Sequence, residues 1–193
     1  TYADFAWPQP LAALYRRNRA KRLVLSDDPL TSAFRTHPEF LSGGGGLVST
    51  ADDYLRFCDF LLRQGERNGV RLLSPRTVDY MTRNHLAGGS DLAGYARWMF
   101  AETAYAGVGF GLGFSVVVDP AANKVLTSPG TFSWGGAAST GFYVDPVEEV
   151  TALFMTQLLP SSTWPLRSQL TQLVSQAILA YAQNIDNLGA LTA

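Results

Sequence analysis

The chain contains 193 residues with a mass of 21.0 kDa, a length typical of one domain or slightly more. Hydrophobic residues make up 47% of it and charged residues only 16%, which excludes an intrinsically disordered chain. The net charge of -1 argues against nucleic-acid binding, and no apolar stretch approaches the ~18 residues that a membrane span needs. The single cysteine, Cys58, excludes an internal disulfide and a multi-cysteine zinc site.

Residues 1–46 are predicted to form a connecting region, because prolines interrupt them and little periodicity is sustained. A short helix is expected over Leu11–Arg17, and the basic residues between 16 and 22 are interpreted as a solvated face. The chain begins at Thr1 in what looks like the middle of a fold, and no basic-then-apolar leader is visible. We therefore expect a processed or truncated chain without a signal peptide, with a cytoplasmic location favoured over a periplasmic one.

Two helices are predicted within residues 47–86. The first begins at a capping box, either Thr50 with Asp53 or Ser49 with Asp52, and ends near Gly65. The second begins at Ser74-Pro75 and runs to about Asn84. Residues 87–110 are rich in glycine, alanine and aromatic residues and are predicted to form a long loop, either a pocket wall or a loop packed on the core.

From residue 111 onward the pattern changes to short β-strands with tight turns. The predicted strands are Leu112–Val118, Lys124–Thr127, Ala137–Val144 and Val150–Gln157, the last covered on both faces. Short links indicate an antiparallel meander over 111–158. A long amphipathic helix over 161–185 should pack its apolar stripe on this sheet, which gives an α+β fold. That stripe comprises Leu166, Leu170, Leu173, Val174, Ala177, Ile178 and Tyr181.

No complete active site is visible in the sequence. Neither lysine, Lys21 or Lys124, follows a serine in S-x-x-K, and the chain lacks Y-x-N, G-x-S-x-G, H-E-x-x-H and the glycine-rich nucleotide-binding motifs. His37 and His85 are interpreted as structural or exposed. The sequence therefore predicts neither a metal nor an organic cofactor.

The segment Ser133–Ser139 contains two glycines inside an apparent edge strand. Such glycines indicate either the close approach of a ligand to the backbone, or a bulge or tight crossing within the protein. A backbone N–H at such an edge could serve as an oxyanion donor.

Three segments together resemble a known family: GGGGLVSTADDYLRFCDFLL (43–62), LLSPRTVDYMTRNHL (72–86) and FSWGGAASTGFYVDP (132–146). The chain resembles the C-terminal part of serine hydrolases with the class C β-lactamase and penicillin-binding-protein fold. Within that group it is most similar to the bacterial carboxylesterases. The resemblance implies that the serine and lysine of S-x-x-K and the tyrosine of Y-x-N belong to an N-terminal half that this chain lacks.

The resemblance also assigns site residues. Trp134-Gly135-Gly136 stands where β-lactamases have K-T-G, and is expected to contact substrate. The backbone N–H of the next residue, Ala137, is expected to donate to the oxyanion. Since Trp134 replaces a cation that recognises a substrate carboxylate, neutral esters are the expected substrates.

Three functions are weighed. The first is a carboxylesterase acting through an acyl-enzyme; the second is a β-lactamase or D-amino-acid peptidase, which would need another cation in place of the motif lysine. The third is a non-catalytic binding or assembly fragment. The chain alone is expected to be inactive, and to associate with its N-terminal half or with a second copy of itself, because half of the fold would expose apolar sheet surface. Neither nucleic acid nor membrane is an expected partner.

Overall fold

The computed structural model describes residues 11–95 and 105–191, with the backbone alone at residue 162 and over 179–191. The helices are α1 (Ala51–Leu62), α2 (Pro75–Met81), α3 (Pro120–Asn123) and α4 (Leu166–Leu191). The strands are β1 (Leu14–Arg17), β2 (Leu23–Asp27), β3 (Glu66–Arg67), β4 (Val70–Arg71), β5 (Val108–Phe110), β6 (Ser115–Val117), β7 (Phe132–Gly135), β8 (Gly141–Asp145), β9 (Val150–Phe154) and β10 (Leu158–Leu159). Short 3-10 turns occupy Ala33–Arg35, Ala87–Gly89, Leu92–Gly94 and Ser161–Thr163.

A five-stranded antiparallel meander, in the order β5-β6-β7-β8-β9, forms the centre of the fold. The α+β architecture with a long C-terminal helix is as predicted, but several strand limits are not. The predicted strand Leu112–Val118 is wrong at its start, because Gly113 adopts a φ of 97° in the turn between β5 and β6. The predicted strand Val150–Gln157 ends at Phe154, and its residues are half-buried rather than covered on both faces.

The predicted strand Lys124–Thr127 is absent. Asp119 caps α3 by accepting from the backbone N–H groups of Ala121 and Ala122, and Lys124 then takes a left-handed conformation with a φ of 59°. A side chain that satisfies helical N–H groups stabilises a helical turn where the sequence pattern favours a strand. The chain rejoins the sheet only at β7.

The predicted N-terminal ends of the two helices within residues 47–86 are confirmed. Thr50 Oγ1 accepts from the backbone N–H of Asp53 at 3.1 Å, which selects Thr50 over Ser49 as the cap of α1. Ser74 caps α2, with Pro75 in its first turn. The helix ends at Met81 rather than near Asn84, because the Asn84 side chain accepts from the N–H groups of Leu86 and Phe110 and so joins the following loop to β5.

The helix predicted over Leu11–Arg17 is wrong. Residues Leu14–Arg17 form β1, which pairs with β2 in antiparallel orientation and with β10 in parallel orientation. The connecting region therefore contributes two strands to a second, three-stranded sheet. Tertiary pairing decides the structure here because so short a segment carries little helical preference of its own.

The two faces of the central sheet have different surroundings. One face packs against α1 and forms the core, in which Cys58 and Val144 have no exposed surface. The other face is approached by α4, which contacts β9, and a cavity of about 490 Å³ lies between them. Leu170 lines this cavity, but Leu173 is 64% exposed, so the predicted stripe of α4 packs only in part. Tyr181 of the stripe lies outside the described side chains. Among the described residues, no helix is long and apolar enough to cross a bilayer.

Candidate functional site

The Trp134-Gly135 pair lies at the end of β7, the third of the five strands. The sequence predicted an edge strand, and this expectation needs correction. β6 pairs with β7 at Phe132 and Ser133, whereas β8 pairs with β7 as far as Gly135. Because the β6 ladder stops first, the end of β7 forms a local rim of the sheet although the strand itself is central.

A tight hairpin turn joins β7 to β8. The N–H of Gly136 donates to the carbonyl of Thr140 at 3.0 Å, and the N–H of Ser139 donates to the carbonyl of Gly136 at 3.1 Å. Ser139 has a φ of 68°. These features match a three-residue hairpin loop that ends in a left-handed residue. Ala137 therefore lies in a turn, and the predicted strand Ala137–Val144 is wrong over its first four residues.

The sequence predicts the backbone N–H of Ala137 as an oxyanion donor, and this role stays a prediction. Ala137 is exposed, and no acceptor for its N–H is present among the described residues. Both other amides that bracket this turn, those of Gly136 and Ser139, are occupied by main-chain carbonyls. Among the described residues, the N–H groups of Ala137, Ala138 and Thr140 have no acceptor, and of these the sequence predicts Ala137 as the oxyanion donor.

Strand β10 holds the turn from one side. Ser139 is 3% exposed, and its hydroxyl donates to the carbonyl of Leu158 at 2.7 Å. The N–H of Leu158 in turn donates to the carbonyl of Ala138 at 3.0 Å. Since β10 pairs with β1, the turn is connected to the second sheet as well as to the first.

Helix α4 holds the turn from the other side through Arg167. The guanidinium donates from Nε to the carbonyl of Thr140 at 2.8 Å and from Nη2 to the carbonyl of Gly136 at 2.5 Å. A Cβ on Gly135 would overlap the guanidinium, and a Cβ on Gly141 would lie 3.1 Å from Arg167 Cγ. The glycines of β7 and β8 therefore make room for an arginine of the same chain.

This packing bears on the predicted substrate contacts of Gly135 and Gly136. The Cβ direction of Gly135 is filled by Arg167, and that of Gly136 points to Thr140 Oγ1, 2.5 Å away. Of the two explanations drawn from the sequence, close packing within the protein accounts for the lack of room for a side chain at these two glycines. Substrate contact by these residues stays a prediction for their backbone atoms alone.

The indole of Trp134 stands where the sequence resemblance predicts the motif cation. It is 37% exposed and packs edge-on against Phe110, with ring centroids 5.1 Å apart. Trp134 also lines the cavity between the sheet and α4. At the motif position itself the surface is aromatic.

The chain matches a known family model and is similar to several known proteins. The family model described as Beta-lactamase matches residues 2–176. The chain belongs to the beta-lactamase family. Protein Rv1367c of Mycobacterium tuberculosis is 40% identical over 152 residues, which are 77% of this chain and 36% of that protein. Esterase EstB of Burkholderia gladioli is 32% identical over 115 residues, 60% of this chain and 25% of the esterase.

Solved structures show the same beta-lactamase-like fold. A mutant of simvastatin synthase (LovD) from Aspergillus terreus superposes with a TM-score of 0.70 at 21% identity, covering 88% of this chain and 44% of that structure. EstCE1, a hydrolase with promiscuous acyltransferase activity, superposes with a TM-score of 0.62 at 22% identity, covering 87% and 43%. The resemblance drawn from the three sequence segments is confirmed. The chain spans less than half the length of these relatives.

Within this beta-lactamase-family chain, the other candidate side chains have structural roles. His85 lies edge-on to the Tyr80 ring, and its Nε2 is 2.7 Å from the Tyr80 carbonyl oxygen. Burial raises the pKa of the Cys58 thiol to about 11, so this side chain stays protonated and unreactive at neutral pH. In the part of the chain that the structure describes, no cluster of three or more His, Cys, Asp or Glu side chains could hold a metal ion.

Three polar side chains, those of Ser115, Ser133 and Tyr143, line the cavity beside β7. The Ser115 hydroxyl is 2.9 Å from the Ser133 carbonyl oxygen and 2.8 Å from the Ser133 hydroxyl. Burial, and then the nearby Asp145 carboxylate, raise the pKa of Tyr143 to about 12. The Tyr143 phenol therefore stays protonated at neutral pH.

Arg167 is the site residue that sequence inspection missed. It is the only lysine or arginine after Lys124. A lone cation in a helix whose one other charged residue is Asp186 was therefore a usable signal. Its target was not visible, because the contact joins residues 27 and 31 positions apart in the sequence.

Proposed function

We propose that this chain forms the oxyanion-binding wall of a serine carboxylesterase of the beta-lactamase family, with the nucleophile supplied by a part of the protein outside this chain. The observation that carries the proposal is the exposed Ala137 N–H, which has no acceptor among the described residues and lies in a turn fixed from two sides. Preorganised N–H donors of this kind stabilise the negative oxygen of a tetrahedral intermediate.

The reaction then follows the acyl-enzyme route. The serine hydroxyl gives its proton to the family's lysine and tyrosine groups as its oxygen attacks the ester carbonyl. The electron pair of the C=O bond moves to oxygen, where the Ala137 N–H donates to it. Collapse of this intermediate expels the alcohol, and a proton from the family's lysine and tyrosine groups accompanies it. Water then attacks the acyl-enzyme through the same oxyanion site and releases the acid.

The chemistry around Trp134 supports neutral esters as substrates. The motif position carries an indole, and the nearby cation, Arg167, directs Nε and Nη2 to the carbonyls of Thr140 and Gly136. The alternative function, β-lactamase or peptidase, needs a cation that meets a substrate carboxylate. Arg167 is the candidate for that role, and its engagement with the backbone favours the esterase.

A fluorophosphonate probe tests the proposed function directly. The probe forms a covalent adduct with an activated serine, and denaturing intact-mass spectrometry locates it. We expect the full-length protein to gain one adduct, and the 193-residue chain alone to gain none. A full-length protein that hydrolyses no ester and takes no label would favour the binding-fragment alternative, and a label on the isolated chain would contradict the placement of the nucleophile.

Replacement of Trp134 by lysine should change the substrate preference. We expect the ratio of nitrocefin hydrolysis to p-nitrophenyl butyrate hydrolysis to rise about tenfold, since a cation gains about 1–2 kcal/mol against a substrate carboxylate and loses apolar contact with the ester. Trp164→Lys is the matched control, because Trp164 is similarly exposed (44%) but lies beside Arg17. An unchanged ratio in Trp134→Lys would contradict the proposed role of the indole.

Exposed apolar side chains in the connecting region support the expectation of a partner. Several large apolar side chains there are exposed, among them Leu23 (54%), Phe40 (81%) and Leu41 (62%). We propose that the serine-bearing part of the enzyme covers this surface, and that the isolated chain pairs with a second copy instead. Light scattering on the isolated chain and on the full-length protein distinguishes the two states.

A further inference from the structure

Arg167 holds the peptide unit that carries the proposed oxyanion donor. The carbonyl of Gly136 and the N–H of Ala137 belong to one peptide group, and Arg167 Nη2 donates to that carbonyl at 2.5 Å. We propose that Arg167 is a positioning residue for catalysis: it fixes the direction of the Ala137 N–H and strengthens it as a donor. This inference rests on the proposed function, since it assigns a cause to the donor's geometry.

The direction of the N–H follows from the planarity of the peptide. In a trans peptide the C=O and N–H bonds point to opposite sides. The Gly136 carbonyl accepts both from Arg167 Nη2 and from the N–H of Ser139, so it is turned toward α4 and into the hairpin. The Ala137 N–H is therefore turned away from both, outward from the hairpin. Rotation of this peptide would break two hydrogen bonds at once.

The strength of the N–H follows from the charge of the guanidinium. A cation that donates to an amide oxygen withdraws electron density from the amide nitrogen, which makes its N–H a better donor, and hydrogen bonds in series strengthen one another. The second guanidinium bond, from Nε to the Thr140 carbonyl at 2.8 Å, fixes the plane of the group. A lysine could not bridge the two carbonyls in this way, because it lacks the planar fork of donors.

The glycines complete this arrangement. Gly135 lies directly against the guanidinium, and Gly141 against the Arg167 side chain. The tryptophan-glycine-glycine segment thus has two separate tasks in this chain. The Trp134 indole is placed to contact the substrate. Gly135 leaves room for Arg167, which orients the peptide group between Gly136 and Ala137.

The test compares Arg167→Ala with Arg63→Ala in the full-length enzyme. Arg63 forms an ion pair with Asp59 of α1, and its charge interacts with Glu149, which lies in the β8–β9 turn at the end of β8 away from the hairpin. Each variant hydrolyses a p-nitrophenyl ester and the corresponding thionoester, in which sulfur replaces the carbonyl oxygen. Backbone N–H donors bind a developing oxyanion better than a thiolate-like sulfur, so the oxygen-to-sulfur preference reports the oxyanion site.

We expect Arg167→Ala to lower kcat for the oxygen ester about 10- to 100-fold, with KM within about twofold. The preference for oxygen should shrink by a similar factor, and added methylguanidinium should restore part of kcat. Arg63→Ala should change none of these values. A role of Arg167 in folding alone would lower the active fraction but would leave the preference unchanged.

The outcomes separate the two proposals. A wild-type enzyme that hydrolyses esters without any oxygen preference overturns the assignment of the Ala137 donor, and with it this inference. A wild-type preference that Arg167→Ala leaves intact overturns the inference alone. Gly135→Ala gives a second route if Arg167→Ala does not fold, because the new methyl group displaces the guanidinium while the arginine stays in the chain; it should show the same loss of preference.

Discussion

Replacement of Asp145 by asparagine should lower the free energy of unfolding by about 2–4 kcal/mol. Asp145 is 4% exposed, and each carboxylate oxygen accepts two hydrogen bonds. Oδ1 accepts from the N–H groups of Val147 and Glu148, and Oδ2 accepts from the N–H of Ser128 and the hydroxyl of Thr131. Whichever way the asparagine amide turns, its NH₂ group faces at least one backbone N–H donor. Urea denaturation of the 193-residue chain measures the loss.

Asp119→Asn is the matched control for this experiment. Asp119 is exposed and uses only Oδ1, which accepts from the N–H groups of Ala121 and Ala122. Asparagine can offer its oxygen to both donors and is as good a helix cap, so the change should stay within about 0.5 kcal/mol. Equal losses for the two variants would contradict the proposed role of the Asp145 carboxylate.

Asp145→Asn should also remove an acid-sensitive part of the stability. Burial alone would raise the pKa of Asp145, but hydrogen bonds from Glu148, Ser128 and Thr131 outweigh burial and hold the pKa below its ordinary value. A carboxyl group with a depressed pKa in the folded state stabilises the fold above its unfolded pKa, and this contribution is lost as the pH falls through the folded pKa. The stability difference between wild type and Asp145→Asn should therefore shrink below about pH 4. A difference that grows on acidification would refute this assignment.

Replacement of Phe132 by alanine should cost about 3–5 kcal/mol of unfolding free energy. Phe132 is 3% exposed and packs edge-on against Phe114, with ring centroids 5.2 Å apart, inside the cluster that joins β6, β7 and β8 to α1. Removal of the ring leaves a cavity that its close-packed neighbours cannot fill. Urea denaturation again provides the measurement.

Phe40→Ala in the same chain, at a concentration where light scattering shows a monomer, is the control, because Phe40 is 81% exposed. Its loss should be within about 0.5 kcal/mol. If both phenylalanines cost the same, the apolar core does not lie where the structure places it.

Local signals in the sequence predicted a large part of this fold. The caps at Thr50 and Ser74 satisfy helical N–H groups within three residues, so their effect is visible without tertiary structure. The meander was likewise visible from short apolar runs with tight links between them. The family was identified from three segments that carry its glycines and its WGG motif, and the comparisons confirm it.

The parts that were missed depend on contacts between distant segments. β1 is a strand because β2 and β10 flank it, and its own four residues carry no comparable preference. Residues 137–140 of the hairpin turn were predicted as strand because the two alanines carry no turn preference, and the left-handed residue, Ser139, is held by its contact with Leu158. The contact of Arg167 with the turn depends on the placement of α4 over the sheet.

The hairpin that Leu158 and Arg167 hold determines where mutations in this chain can act on its chemistry. The proposed donor at residue 137 is a main-chain group, so exchanging the alanine side chain for most other residues leaves it in place. Its geometry is instead determined by side chains 19 to 31 positions away from their partners, Ser139 with Leu158 and Gly136 with Arg167. In a mutational scan of the enzyme, we therefore expect substitutions at residue 137 to be tolerated. The sensitive positions should be those that hold the turn, such as Ser139 and Arg167. The geometry of the proposed donor thus depends on the residues that hold the turn and not on the side chain at residue 137.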